Sequence, residues 1–244
     1  MSNLRKLSTC AALYLITGLT TALAMTVSPM QVEMTTVGAR SRGQVFVVNN
    51  SNEPLPIEAM IERLTLDESG KPQISKAGED FLVMPPQAII PPGATQNFRV
   101  QWLGEPDLAK SESFVLSLNQ VPVKLSGQSG VQVVMGLGVM INVAPPQGLP
   151  ALKVVSTGVT SDKSGRRRPT ITVENVSNVH ALLPQGTIEL ASGGWSASLP
   201  PQSTSDEVGI GLVQPGKQRK FTLPVDLPAG ITSVAASVVF NPRR

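Results

Sequence analysis

One alternating apolar segment near the middle of the chain limits what this chain can fold into. The segment Gly130–Val143 reads GVQVVMGLGVMINV. Successive side chains of an extended strand point to opposite faces, so this alternation predicts a long β-strand with one continuous apolar face. Such a strand lies either in the centre of a sheet or at an edge that another chain must cover. The apolar face is formed by Val131, Val133, Met135, Leu137, Val139, Ile141 and Val143.

Turn-forming residues divide the rest of the chain into short strands. The 21 prolines and 21 glycines fall between segments rich in Val, Ile, Thr and Phe, and long helical periodicity is absent. This pattern predicts an all-β fold, with one helical turn at Glu105–Lys110. The other predicted strands are Met30–Thr36, Gln44–Asn49, Ile57–Leu66, Phe81–Met84, Ala88–Ile90, Thr95–Trp102, Ser113–Gln120, Leu152–Thr160, Thr170–Asn175, Gly186–Leu190, Val208–Val213, Gln218–Pro224 and Ser233–Phe240.

A proline-rich connector follows the alternating segment directly. The residues Pro145–Pro150 include two adjacent prolines and a glycine, which make a stiff segment that cannot pair as a strand. We therefore predict two immunoglobulin-like β-sandwich domains, residues 25–146 and 147–244, joined by this short hinge.

The first 24 residues have the features of a cleaved signal peptide. Arg5 and Lys6 precede the apolar stretch Cys10–Ala22, and Ala22-Leu23-Ala24 forms a small-x-small cleavage pattern. Cleavage would remove Cys10, the single cysteine of the chain, so no disulfide or thiol chemistry is expected. No later segment is apolar enough to span a bilayer, so we expect no stable membrane insertion.

Charge and composition argue against several classes of function. The chain has 20 basic and 17 acidic residues, and removing Arg5 and Lys6 leaves a net charge of +1, which does not favour nucleic-acid binding. His180 is the single histidine and lies in no metal-ligand or Ser–His–acid pattern, so we interpret it as a structural turn residue. We predict a protein that is not an enzyme, with no metal and no cofactor.

A series of motifs along the whole mature chain resembles the PapD-like periplasmic chaperones of chaperone–usher pilus assembly. No single motif is diagnostic, but their order and spacing are. The Gly138–Pro146 ending further resembles the archaic branch of that family. The motifs are Gln44–Ser51, Phe81–Pro86 followed by Ile90–Ala94, Phe98–Trp102, Ser113–Pro122 and Thr172–Ala181.

The resemblance implies that the alternating strand is lent to a partner. Members of this family add the strand to a pilus or fimbrial subunit whose own sandwich lacks its last strand, which is a known form of β-augmentation. The subunit-binding residues it implies are Val131, Val133, Met135, Leu137 and Val139. It also implies a periplasmic location, a boomerang-like arrangement of the two domains, and delivery of subunits to an outer-membrane usher without ATP.

The sequence departs from the resemblance where classical members clamp the carboxylate of the subunit's terminus. The two basic positions of those members fall at Glu33 and Met140 here, and Ala144 stands at the arginine of their interdomain ion network. A buried carboxylate without a cation is costly, so either another base serves or the carboxylate stays in water. The candidate anchors are Arg99, Arg63, Arg40 and Arg42.

Two alternatives to a chaperone remain open at this point. The chain could itself be a secreted structural or adhesive component of a surface fibre, although such subunits usually carry a disulfide and an N-terminal donor extension. A secreted β-sandwich hydrolase would need an acid–base or nucleophile constellation that the sequence lacks. The sequence also leaves open whether the free chain covers its own strand by forming a homodimer.

Overall fold

The computed structural model describes residues 25–77, 79–122, 134–161 and 165–240 of the chain. Two 3₁₀ turns, Ala39–Ser41 and Leu183–Gln185, and a short helix α1 (Ser205–Val208) lie between strands. In the described part, no helix has the length and apolar character needed to cross a membrane. The strands are β1 (Met25–Ser28), β2 (Gln31–Thr35), β3 (Arg42–Asn49), β4 (Leu55–Leu66), β5 (Pro72–Lys76), β6 (Phe81–Met84), β7 (Gln87–Ile90), β8 (Thr95–Trp102), β9 (Glu112–Gln120), β10 (Gly136–Ala144), β11 (Leu152–Ser161), β12 (Arg167–Asn175), β13 (Ala181–Leu182), β14 (Thr187–Ser192), β15 (Trp195–Leu199), β16 (Leu212–Val213), β17 (Gln218–Thr222) and β18 (Ala235–Val239).

Two sheets pack face to face in the first half of the chain. One has the order β1-β3-β8-β6; the other has the order β2-β10-β9-β4-β5, with β7 also paired to β4. Every described pair is antiparallel except β2 and β10, which run parallel. The alternate residues Phe114, Leu116 and Leu118 of β9 are fully buried, so the period of two in the sequence becomes one wall of the core.

The second half forms another sandwich with its own core. Its sheets have the orders β11-β12-β17 and β15-β14-β18, with β13 and β16 as a separate pair. Ile171, Val173, Ile188 and Leu190 are among its buried residues. The two cores share no member, and the proline-rich connector runs between them. The predicted all-β fold with two sandwich domains is confirmed, while the boundary at residues 146 and 147 stays a prediction.

Two local predictions were wrong for identifiable reasons. Residues 105–110 form turns and bends instead of a helical turn, because an isolated turn fixes many dihedral angles for few hydrogen bonds. The strand predicted at Val208–Val213 is reduced to β16, because Gly209 and Gly211 adopt φ angles of 65° and 62°, outside the strand region. The chain turns there, and helix α1 ends immediately before.

Four strands escaped prediction because each is very short, fully exposed, rich in small residues or adjacent to the predicted cleavage site. Strand β5 is exposed at every position and pairs only along one side of β4. Strand β13 has two residues, and β15 carries small residues such as Ser196 and Ala197. Strand β1 directly follows the predicted cleavage site, and the chain then crosses from one sheet to the other at Pro29.

The same asparagine corner closes both domains. At the end of β3, the Asn49 Nδ2 group donates to Glu53 O and Ile90 O at 2.7 and 2.9 Å, and its Oδ1 atom accepts from Ser51 N at 2.9 Å. At the end of β12, Asn175 makes the equivalent bonds to Val179 O, Val213 O and Ser177 N at 2.8, 2.8 and 3.0 Å. Each side chain is fully buried and ties the strand end to a Pro-Gly loop of the same domain.

Replacing Asn175 with alanine is expected to destabilise the second domain by about 2–4 kcal/mol, because two buried carbonyl groups lose their donors. Urea unfolding followed by amide exchange in each domain measures the effect. The same substitution at the exposed Asn178 is the control and should change stability by less than about 0.5 kcal/mol. Equal effects of the two substitutions would contradict the structural role of the corner.

Candidate functional site

Strand β10 is paired on both sides in its second half and on one side in its first half. Met140–Ala144 lies between β2 and β9, whereas Gly136–Val139 pairs only with β9 among the described strands. The other neighbour begins late because β2 starts at Gln31, just after the chain crosses between sheets. The sequence left open whether this strand is central or at an edge. In the structure its second half is central, and its first half is an edge among the described strands.

The glycines of β10 present their backbone to the open side. Backbone groups of alternate strand residues point in opposite directions. Met135 O accepts from Gln120 N on the β9 side, and Met140 N donates to Met30 O on the β2 side. Gly136 and Gly138 have the same orientation as Met140, so their N–H and C=O groups face the side without a described strand. These are the groups that an added strand would bind.

The apolar face of β10 runs from the core of the first domain outward. Ile141 and Val139 are fully buried in that core, whereas Leu137 and Met135 are only partly buried and pack at its rim. Val131 and Val133 lie outside the described residues. Val139 therefore fills the chain's own core in this structure, and its side chain does not face a partner.

Glycine at positions 136 and 138 leaves room for side chains of β9. A Cβ atom on Gly136 would lie 2.5 Å from Asn119 Oδ1, and one on Gly138 would lie 2.9 Å from Val115 Cγ1. Both distances are closer than real Cβ contacts, so any larger residue would push these side chains away. The glycines also weaken the strand, because they lose more conformational freedom on folding than other residues do. The open half of β10 is thus less stable in itself as well as unpaired on one side.

The second domain covers the outer face of the central half of β10. Met140 is 7% exposed and packs with Leu64 of the first domain and with Leu182 and Leu212 of the second. This contact explains why both faces of the strand are apolar at this end. It also accounts for an apolar residue at position 140, because the side chain there forms a buried contact between the domains.

A chain of polar side chains extends from β10 into the second domain. The Asn142 amide donates from Nδ2 to Glu33 Oε1 at 2.9 Å and accepts at Oδ1 from Ser113 Oγ at 2.8 Å. The other carboxylate oxygen of Glu33 lies 2.6 Å from His180 Nε2. On the opposite side of the ring, His180 Nδ1 lies 3.2 Å from Ser111 Oγ. Strands β2, β10 and β9 are thereby connected to the second domain by one continuous network.

The environment of Glu33 favours its charged form. Burial raises the pKa of this carboxyl, but the hydrogen bond and the charge of His180, with the bonds from Asn142 and Gln31, together lower the pKa below its usual value. The carboxylate therefore contributes stability above the pKa of an unfolded glutamate, and this contribution is lost as the pH falls through the lowered value.

Further contacts hold the two domains together. The Gln214 amide of the second domain donates to Leu64 O at 2.8 Å and accepts from Leu66 N at 2.9 Å, as a neighbouring strand would. At the tip of the β4–β5 hairpin, Glu68 O accepts from Lys220 N at 2.9 Å. This hairpin tip therefore contacts the second domain.

The structure places the first candidate anchor, Arg99, away from the open edge. Arg99 belongs to β8 in the sheet opposite to β10, and its side chain is exposed because its neighbours Phe98 and Val100 fill the core. With Arg42, Leu82 and Met84 it lines an outer groove of about 480 Å³. A base on this outer face cannot meet a group bound along β10, so its position argues against Arg99 as the anchor, and the same holds for Arg42.

The other two candidates are no better placed. Arg63 bonds to Asp80 at 2.8 Å and also to Glu112, so its charge is already balanced by two carboxylates. Arg40 is exposed in the 3₁₀ turn after β2. Since β2 runs parallel to β10 and ends opposite Ala144, Arg40 lies toward the far end of the strand from its open half. The structure therefore brings none of the predicted bases to the open edge.

Sequence reasoning missed the role of His180. The residue does precede a strand, β13, as expected for a turn, but its ring contacts the first domain. Two features of the sequence could have indicated this contact. Position 33, which is basic in classical members, is a glutamate here, and His180 is the one titratable residue in the otherwise uncharged segment 176–188.

Comparisons with known proteins agree with this architecture. Residues 24–148 match the model of the PapD N-terminal domain of pili and flagellar-assembly chaperones. No curated protein sequence matches the chain.

Solved structures of the same fold include the class 5 fimbriae chaperone CfaA, with a TM-score of 0.54 and 14% identity over 90% of this chain and 100% of that chain. The CsuC–CsuE chaperone–tip adhesion subunit complex, from archaic chaperone–usher Csu pili of Acinetobacter baumannii, has a TM-score of 0.52 and 15% identity over 89% of this chain and 97% of that chain. At these identities the likeness supports the fold alone.

Proposed function

The chain belongs to the PapD family of pilus assembly chaperones, which are not enzymes, and from this premise we propose that it binds fimbrial or pilus subunits in the periplasm by lending them β10. The observation that carries the proposal is the division of β10 into a paired half and an open half. A subunit that lacks a strand would pair with the backbone of Gly136 and Gly138 and receive the apolar side chains of the preceding residues.

The proposed contact residues follow from the position of the core. Leu137 and Met135 lie at the rim of the first domain, and the same face continues in sequence to Val133 and Val131. These four side chains form the proposed contact set, and Val139 is left out because it is buried in the chain's own core. Burying an apolar side chain of this size contributes about 1.5–3 kcal/mol, which is enough in sum to hold a subunit that is unstable alone.

The anchoring of a subunit carboxylate is proposed to differ from that in classical members. At the domain junction this chain presents the buried Met140 and the carboxylate of Glu33, which already contacts the His180 ring. A second carboxylate placed there would be repelled by Glu33, and among the described residues none of the four candidate arginines contacts Glu33. We therefore propose that the subunit is held by strand pairing and apolar contacts, and that its terminal carboxylate stays in water.

Delivery to an outer-membrane usher completes the proposal. No nucleotide is required, because replacing one donor strand by another in the subunit groove can supply the free energy of assembly. The assignment to the archaic branch stays a prediction that rests on the sequence motifs around Gly138–Pro146.

Co-expression tests this function directly. The subunits to use are any small cysteine-containing secreted proteins whose genes neighbour the gene of this chain. Each is expected to be degraded in the periplasm when produced alone, and to accumulate as a one-to-one complex when produced with this chain, as measured by size-exclusion chromatography. Accumulation that does not depend on this chain would refute the proposal.

The same cells distinguish a chaperone from the alternative, a structural or adhesive component of a surface fibre. A chaperone stays in the periplasmic fraction, whereas a fibre component appears in fibres sheared from the cell surface. Detection of this chain in sheared fibres would favour the alternative.

A further inference from the structure

The network between the domains contains one pair whose strength depends on protonation. The Nε2 atom of His180 and the Oε2 atom of Glu33 are 2.6 Å apart, and the His180 side chain is only 9% exposed. An imidazole gains or loses its charge between about pH 5 and pH 8, and a carboxylate attracts the charged ring more strongly than the neutral one. The pair joins strand β2, which flanks β10, to the segment that leads into β13.

The site can hold the ring in either protonation state. A hydroxyl group both donates and accepts. When His180 is neutral, Ser111 Oγ–H can donate to Nδ1 while Nε2–H donates to Glu33; when the ring is protonated, Nδ1–H donates to Ser111 Oγ instead. The backbone N–H of His180 donates to the same hydroxyl oxygen at 3.0 Å, which holds the ring in place. Protonation thus adds charge without breaking a hydrogen bond.

Few other charges act on this pair. Residues 176–188 of the second domain contain no charged side chain besides His180, and β10 contains none. On the β9 side, Ser111 is flanked by Lys110, which is exposed, and by Glu112, which is paired with Arg63. On β2, Glu33 itself faces the ring. Among the described residues, His180 is the ionisable group that contacts Glu33, and the other charged pair across the junction, Asp67 and Arg219, lies at the tip of the β4–β5 hairpin.

We propose that His180 is a positioning residue that, when protonated, holds β2 against β10 and fixes the second domain against the first through Glu33 and Asn142. The contact is strongest when Glu33 is ionised and the imidazole is charged. It weakens as the pH rises, because the neutral ring keeps its hydrogen bond but loses its charge. Any effect of this contact on partner binding rests on the proposed role of β10. The contact itself is present in the free chain and can be tested there.

Amide hydrogen exchange of the free chain tests the proposal without a partner. The reporters are backbone N–H groups that donate across the domain junction, namely those of Leu66, Ser111, His180 and Lys220. Protection factors divide out the intrinsic pH dependence of exchange. We expect the wild-type reporters to be about two- to fivefold better protected at about pH 5.5 than at about pH 8, as for a modest ion pair. Core amides such as that of Leu116 should not show this difference.

Two variants remove the charge by different routes. His180→Gln keeps a donor toward Glu33 but cannot become charged, and Glu33→Gln keeps an acceptor but has no charge; both should make the reporters insensitive to pH. Glu189→Gln, an exposed carboxylate on β14, is the matched control and should keep the wild-type pH dependence. Equal protection of wild type at the two pH values would overturn the proposal, and so would pH dependence that survives in either variant.

Discussion

Chains that carry Val133→Asp and Met135→Asp together are expected to lose at least about 100-fold in affinity for a subunit. Two apolar contacts worth about 1.5–3 kcal/mol each would be replaced by carboxylates that must be buried without partners. The measurement is the amount of co-expressed subunit that survives in the periplasm, together with the dissociation constant of the purified complex.

A neighbouring position on the other face provides the matched control. Val134 lies between the two substituted residues and is 46% exposed. In an extended chain its side chain points to the face opposite to theirs. Val134→Asp introduces the same charge at the same place in the chain and should reduce affinity by less than about threefold. If Val134→Asp weakens binding as much as the double substitution does, the apolar face of this segment is not what a subunit recognises.

Phe114→Ala is expected to have the largest effect on stability among single substitutions in the first domain. The Phe114 ring is fully buried on β9, and its centroid lies 4.7 Å from that of Phe81 and 5.8 Å from that of Trp102. Removing a buried ring leaves a cavity and costs about 3–5 kcal/mol. Urea unfolding of the first domain, followed by tryptophan fluorescence, should show a midpoint lower by about 1–3 M.

An exposed phenylalanine in the same domain serves for comparison. Phe46 on β3 is 40% exposed, and Phe46→Ala should change the unfolding free energy by less than about 1 kcal/mol. A midpoint for Phe114→Ala equal to that of Phe46→Ala would contradict the position assigned to the aromatic cluster.

The parts of the fold that could be predicted are those in which local pattern and tertiary context agree. Strands β6 and β8 were predicted with their observed bounds, because turn residues flank a short apolar run in β6 and an alternating apolar segment in β8. Strand β5 could not be predicted, since it is exposed throughout and is held only by its hydrogen bonds to β4. Such an edge strand depends on the hydrogen bonds that its neighbour provides, and its own residue pattern does not reveal them.

The candidate site was only partly predictable for a similar reason. The alternation of β10 indicates which side chains share a face, but the point at which that face leaves the core depends on where β2 begins. The candidate anchors were basic residues on or near predicted strands. The sequence does not show that Arg63 is paired with Asp80 and Glu112, because both acids are distant from it in sequence. The contact between His180 and Glu33 could not be predicted, because the two residues are far apart in sequence and no periodic pattern links residues of different domains.

The divided pairing of β10 also bears on how often one copy can act. The first domain has a complete core with Val139 and Ile141 inside it, whether or not anything pairs with Gly136 and Gly138. In the proposed role, a departing subunit would therefore take no part of the chaperone's own fold with it. The released molecule needs no refolding and no input of energy before its next use. The cell would need as many copies as there are subunits waiting at one time, rather than as many as there are subunits in the finished fibre.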